Sequence, residues 1–283
     1  MACKQEWAWS SADGTPIHGL RWIPEGKDPE AAIGIVHGLG EHAGAYAHVA
    51  DWFTDKGFAV YAFDQRGHGL TAGRRGDCPD YEALLEPVRL MLGDIGSQHR
   101  GLPVFLFGHS MGGNVALNYA LRFKPDVAGV IASGPWLRLA AAPPPVRQLL
   151  GRLRKRLQPG YLSLQANARG TSDPEMQLLY AADPLRHGRI TLRTLSGVRS
   201  AGRWALKHAH ELEIPLLLMH GSADRVTSCR ASRIFASRAG SSCTYREWPG
   251  FRHELHAERE RRKVLAFAAD WMDAVRSGGI SSD

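Results

Sequence analysis

Apolar and polar positions change period along the chain in a way that separates strands from helices. Trp7 and Trp9 alternate with polar neighbours, Asp13-Gly14 follows as a turn signal, and Ile17, Leu20 and Trp22 resume the apolar pattern. That predicts a β-hairpin ahead of the main fold. Ala31–Val36 reads as a buried strand running into His37-Gly38-Leu39-Gly40. Tyr46, Val49, Ala50 and Phe53 then recur at helical spacing, Gly57 supplies a stop, and residues 59–63 form another short apolar run. The alternation continues with a helix between residues 81 and 99, a strand at 104–107, a helix at 110–123 and a strand at 127–133. Strands alternating with helices predict a mostly parallel sheet covered on both faces, an α/β fold.

The rhythm breaks after Gly134-Pro135, where Pro143-Pro144-Pro145 and a polar, basic stretch occupy the chain until residues 215–219 resume the strand pattern. A helix near 228–237, a strand at Cys243–Trp248 and a closing helix with Val264, Leu265, Ala268, Trp271, Met272 and Val275 on one stripe complete the chain. The division expected is a body of residues 1–135 and 212–283 with an insertion at 136–211. At 283 residues the chain can bury one large core.

The strongest local signal is Gly108-His109-Ser110-Met111-Gly112, a G-x-S-x-G pattern between a strand and a helix. That context fits a nucleophile elbow, in which a strained turn presents the Ser110 hydroxyl above the sheet. A glycine-rich, phosphate-binding helix start is the alternative, but no G-x-x-x-x-G-K-[ST] or G-x-G-x-x-G accompanies it. A serine hydroxyl needs a base, and that base needs a carboxylate to set its tautomer, in the chain order Ser, acid, His. Asp224, in the loop after residues 216–219, and His253, before the closing helix, satisfy that order. Asp224 could instead cap the following helix; His220 and His256 compete with His253, although His220 abuts a strand and His256 falls where the closing helix is expected to begin. Asp64, Asp126 and Asp183 read as turn or ion-pair residues, the Asp64–Gly69 loop as a structural turn, and His37 and His109 as packing around the site. The backbone N–H groups of Leu39 and Met111 are the candidate oxyanion donors.

Together these residues resemble the monoglyceride lipase and lysophospholipase branch of the α/β-hydrolases. The resemblance rests on His37-Gly38-Leu39-Gly40-Glu41-His42, Asp64-Gln65-Arg66-Gly67-His68-Gly69, the Ser110 motif, Gly221-Ser222-Ala223-Asp224-Arg225 and Gly250-Phe251-Arg252-His253-Glu254-Leu255-His256. Ala181-Ala182-Asp183-Pro184-Leu185 is similar to that branch's lid. It implies an α/β-hydrolase fold with a lid at 136–211, Ser110, Asp224 and His253 as catalytic residues, and Leu39 and Met111 as the oxyanion hole. No metal or organic cofactor is implied. The expected activity is hydrolysis of medium- or long-chain acyl monoesters, monoacylglycerols or lysophospholipids; a general carboxylesterase and a lidded serine aminopeptidase are the alternatives. One departure stands out: Ala45 precedes Tyr46 where that branch carries an arginine that organises the polar region near the catalytic histidine, which bears on head-group preference.

Charge and cysteine content refine the setting. The net charge is +7, and segment 136–211 holds 13 Lys and Arg against 4 Asp and Glu, leaving the rest of the chain at −2. Within it Leu149, Leu150, Leu153 and Leu157 share a helical face opposed by Arg147, Arg152, Arg154, Lys155 and Arg156, a pattern suited either to an anionic membrane surface or to a solvated lid helix. A nucleic-acid partner is not expected, because no recognisable module accompanies the charge. Four dispersed cysteines without a CxxC pair suggest neither disulfides nor zinc and fit a reducing compartment. Lys4, Glu6 and two tryptophans stand where a signal peptide needs an apolar stretch, so the expected localisation is cytoplasmic, with peripheral membrane contact open.

Overall fold

A computed structural model describes residues 2–141, 162–163 and 170–279. Pro143-Pro144-Pro145 and the basic, leucine-bearing stretch at 147–157 lie outside the described residues. The main sheet has eight strands: β1 (Ala2–Ser10), β2 (Pro16–Pro24), β3 (Ala31–Val36), β4 (Phe58–Phe63), β5 (Val104–His109), β6 (Gly129–Ser133), β9 (Leu216–Gly221) and β10 (Cys243–Trp248). A two-stranded ribbon, β7 (Leu162–Ser163) with β8 (Arg189–Ile190), stands apart. The order across the main sheet is β1-β2-β4-β3-β5-β6-β9-β10. The hairpin β1–β2 and the β2–β4 pair are antiparallel, and every other pair is parallel. The mostly parallel sheet expected from the alternation is therefore present.

Side chains alternate across a strand, so the continuous apolar runs serve two cores at once. Ala32, Val36, Ala59, Tyr61, Phe63, Leu106, Val130, Ala132, Leu216 and Leu218 face one side. There they meet α2 (Glu82–Gln98), α3 (Met111–Phe123), α5 (Leu192–His208) and α6 (Cys229–Ala239). Ile33, Ile35, Val60, Phe105, Phe107, Ile131, Leu217 and Met219 face the other, under α1 (Ala47–Asp55) and α7 (Arg261–Arg276). Each fully buried Val, Leu, Ile, Phe or Met side chain among them contributes about 1.5–3 kcal/mol. Helix α5, although within the 136–211 stretch, buries Val198, Ala205 and Leu206 in the same core as α3. The short α4 (Pro174–Ala182) precedes it and leaves Leu178 and Leu179 exposed.

Because β3, β5, β6, β9 and β10 run parallel, the loops that follow them open at one edge of the sheet. His37–Gly40, Ser110, the Asp224 loop and the His253 loop all lie there, at the carboxyl ends of the strands. No helix among the described residues is long and apolar enough to cross a membrane.

Candidate active site

Ser110 occupies the turn between β5 and α3 with φ 53° and ψ −114°, a left-handed conformation that costs a non-glycine residue about 1–3 kcal/mol. The flanking glycines make the turn possible. A Cβ on Gly108 would lie 2.4 Å from Gly112 O, and one on Gly112 would lie 2.0 Å from Val36 O. The backbone of the turn is tied down by Ser110 N–H to Ser133 O at 3.0 Å and by Trp136 N–H to Ser110 O at 2.9 Å.

The three side chains picked from sequence order meet in a row. His253 Nε2 lies 2.8 Å from Ser110 Oγ, and His253 Nδ1 lies 2.7 Å from Asp224 Oδ2. An ionised carboxylate only accepts, so Nδ1 carries the proton and Nε2 is left to accept from the serine hydroxyl. Burial works against a charged imidazole at His253, but the Asp224 carboxylate outweighs it and raises the pKa above its ordinary 6.5. Burial likewise opposes ionisation of Asp224, yet His253 and His220 hold that carboxyl far below the usual range.

His220, a rival base on sequence grounds, sits on the other side of this carboxylate. Its Nε2 is 3.0 Å from Asp224 Oδ2 and its Nδ1 is 2.8 Å from Ser232 Oγ. Asp224 also accepts from Val226 N–H at 2.7 Å and Thr227 N–H at 3.0 Å, bracing its own loop, whereas α6 is capped by Ser228. His256 is not at the start of the closing helix. It belongs to a separate 3₁₀ turn, Leu255–Ala257, which the extended Glu258 ends, and α7 begins at Arg261.

The loop after β3 is held as a donor platform. Gln65 N–H donates to His37 Nε2 at 3.0 Å, so His37 Nδ1 bears the proton that it gives to Gly38 O at 2.7 Å. Carbonyl and N–H of a trans peptide point in opposite directions, so fixing Gly38 O also fixes the direction of the Leu39 N–H. Among the described residues that N–H meets no acceptor. Met111 opens α3, and its N–H is one of the first-turn donors that a helix leaves unused. Asp64 braces the same region: it accepts from His18 Nδ1 at 2.9 Å, Ala43 N–H at 2.6 Å and Leu70 N–H at 2.8 Å.

Next to His253 lies a buried charged cluster that sequence reasoning missed. Glu41 accepts from Tyr46 Oη and Gly38 N–H, both at 2.7 Å. Arg186 Nη2 stands 3.4 Å from Glu41 Oε1 and 3.2 Å from Glu254 Oε1. The His109 ring centre lies 4.7 Å from that of His253, tilted by 51°, and 4.8 Å from that of His256, edge-on at 71°. Burial holds His109 down to about 4 and His256 well below its ordinary range, so both are neutral, and burial pushes Glu254 up to about 6. Ala45, where the resemblance calls for an arginine, packs beside the core instead, and the guanidinium facing Glu41 is that of Arg186. The ligand atoms of Glu41, Glu254 and His256 lie within 4.8 Å of one another, a spacing that could hold a metal ion, but Arg186 already supplies the positive charge between the two carboxylates. Asp183 Oδ2 meets His42 Nε2 at 2.6 Å, and Asp183 Oδ1 accepts the Leu185 N–H at 2.9 Å, a turn role of the kind read from its position.

A mostly parallel sheet with this strand order, carrying loop residues of these types at its carboxyl edge, defines an α/β-hydrolase-fold ester hydrolase. The comparisons agree. A family model described as "Serine aminopeptidase, S33" matches residues 27–260, and the chain belongs to that family. It is 32% identical over 272 residues to a monoacylglycerol lipase of Mycolicibacterium smegmatis, covering 95% of this chain and 97% of that one. It is 29% identical over 259 residues to the monoglyceride lipase of Homo sapiens, covering 88% and 83%. The crystal structure of a monoacylglycerol lipase from Paleococcus ferrophilus superimposes with a TM-score of 0.80 at 29% identity, covering 92% of this chain and 99% of that one.

Proposed function

We propose that the protein hydrolyses acyl monoesters, monoacylglycerols first among them, through an acyl-Ser110 intermediate. The observation that carries this reading is the row Ser110 Oγ, His253 Nε2 and Nδ1, Asp224 Oδ2, with contacts of 2.8 and 2.7 Å. The Ser110 Oγ attacks the ester carbonyl as its proton passes to His253 Nε2, and the developing oxyanion is received by the Leu39 and Met111 N–H groups. His253 then protonates the departing alcohol and afterwards takes a proton from the water that releases the acid. General acid–base help of this kind contributes typically about 10²–10⁴-fold.

Beside His253 the buried atoms His109 Nε2, His256 Nδ1 and Arg186 Nε have no hydrogen-bond partner among the described residues, which supports a polar alcohol portion such as glycerol. The names of the relatives support the same substrate. A peptidase of this family would need a free acid for the substrate's amine, and Glu41 and Glu254 both face Arg186.

In this reading residues 136–211 form the lid over a body of residues 1–135 and 212–283. The lid's basic excess and the exposed Leu178 and Leu179 support contact with an anionic lipid surface. Initial rates on monoacylglycerols, lysophospholipids, short p-nitrophenyl esters and amino-acid amides, run beside Ser110→Ala, test the assignment. A preference for amides would overturn the esterase reading.

A further inference from the structure

The segment at 183–187 is fastened to the loop that carries Leu39 at three points. Asp183 Oδ2 meets His42 Nε2 at 2.6 Å, and the His187 N–H donates to Gly40 O at 3.0 Å. Gly40 has φ 76°, and a Cβ there would lie 1.8 Å from the His187 carbonyl oxygen, so the two backbones touch. Between these ties Arg186, its side chain only 3% exposed, sends its guanidinium across to Glu41 and Glu254 and rests it 3.7 Å from the centre of the Tyr180 ring.

Glu41 is more than a counter-charge. Its Oε2 accepts the Gly38 N–H, and its own N–H returns to Gly38 O at 3.3 Å, so the carboxylate closes the turn at whose middle Leu39 stands. Glu254 is the residue after His253. One cation from segment 183–187 therefore reaches both the donor loop and the loop of the base. Remove it, and two fully buried carboxylates confront each other without a cation between them.

We infer that Arg186 is a positioning residue for the reaction: from the lid segment it fixes the Glu41 carboxylate, and through Glu41 the Gly38–Leu39 peptide whose N–H receives the oxyanion. The inference rests on the serine-hydrolase reading of this site. Its consequence is specific, since a displaced oxyanion donor weakens the tetrahedral species and leaves ground-state binding alone.

The test compares wild type, Arg186→Met, Arg186→Lys, Glu41→Gln, the Arg186→Met/Glu41→Gln double variant and Ser110→Ala. Three quantities are read: kcat and KM on p-nitrophenyl butyrate, Ki for an alkyl trifluoromethyl ketone, and Ki for the ether of the same chain. The ketone is attacked by Ser110 Oγ, the serine proton moves to His253, and the former carbonyl oxygen becomes an oxyanion; the ether only occupies the acyl site. Loss of a whole donor costs about 10²–10³-fold, so a misplaced one in Arg186→Met is expected to lower kcat about 10–100-fold. The ketone Ki should rise by the same factor while KM and the ether Ki stay within about threefold. Arg186→Lys, which keeps the charge on a shorter side chain without the planar guanidinium, should fall between wild type and Arg186→Met, and the double variant should be no worse than the worse single variant. Unchanged kcat and ketone affinity in Arg186→Met would overturn the inference, as would an ether Ki that rises in step or losses that multiply in the double variant. If Arg186→Met does not fold, Arg186→Lys carries the test, and wild-type ketone affinity there overturns the inference. Turnover by Ser110→Ala would instead remove the hydrolase reading beneath it.

Discussion

Protons decide what the residues of this site can do. His253 can accept from Ser110 only when its imidazole is neutral, and the Asp224 carboxylate raises its pKa above 6.5. With His253 as the proposed base, activity is expected above the raised pKa and should be lost as pH falls through it. The kcat/KM profile on a neutral ester is therefore expected to show a one-proton acid limb centred above pH 6.5. In Asp224→Asn the carboxylate that raises the pKa is gone while burial remains, so the limb should move to lower pH. The amide also fails to hold the Nδ1–H tautomer, and kcat should drop about 10⁴-fold. A limb that stays in place in Asp224→Asn would show that another group is titrating. His220 and Thr227 belong to the same account, because they hold the carboxylate that holds the histidine.

At the scale of elements, close approach of strand and helix governs the turn that displays Ser110. Gly112 lets α3 pass within contact of the end of β3, where a methyl group would meet Val36 O at 2.0 Å and His37 O at 2.6 Å. Gly112→Ala is expected to cost about 1–3 kcal/mol, read as a lowered urea midpoint, and to lower activity because the displaced strand leads into His37 and Leu39. Gly93, exposed in the middle of α2 with nothing within 4 Å of its Cβ position, gives the opposite result: Gly93→Ala should stabilise by about 0.5–1 kcal/mol. The same contrast explains what was legible in the sequence. Strands β3, β4, β5, β6 and β9 are short apolar runs bounded by glycine, proline or polar loops, and the G-x-S-x-G pattern announces a steric necessity, so both could be read locally. The turn at Leu255–Ala257 could not, because the extended Glu258 that ends it is held by Ser172, 86 residues away in the chain. Arg186 and Glu41 are separated by 145 residues, and no spacing rule joins them. A lone arginine after Asp183-Pro184-Leu185 was the available signal, and it gains meaning only beside a buried Glu41.

For the molecule as a whole, charge is regional. Segment 136–211 carries a net +9 and the remainder −2. Contact with a lipid surface through that segment should therefore depend on the sign of the surface and on screening. Co-sedimentation with vesicles containing phosphatidylglycerol is expected to exceed that with phosphatidylcholine alone and to fall as NaCl rises toward about 0.5 M, where the screening length is about 4 Å. Equal, salt-insensitive binding to both would remove the electrostatic part of the proposal. The central claim, ester hydrolysis through an acyl-Ser110 intermediate, is tested most directly by the kcat/KM of wild type and Ser110→Ala on a long-chain monoacylglycerol. The expected result is turnover by the wild type and a loss of at least about 10⁴-fold in a folded Ser110→Ala; a variant that hydrolyses the ester at the wild-type rate would contradict it.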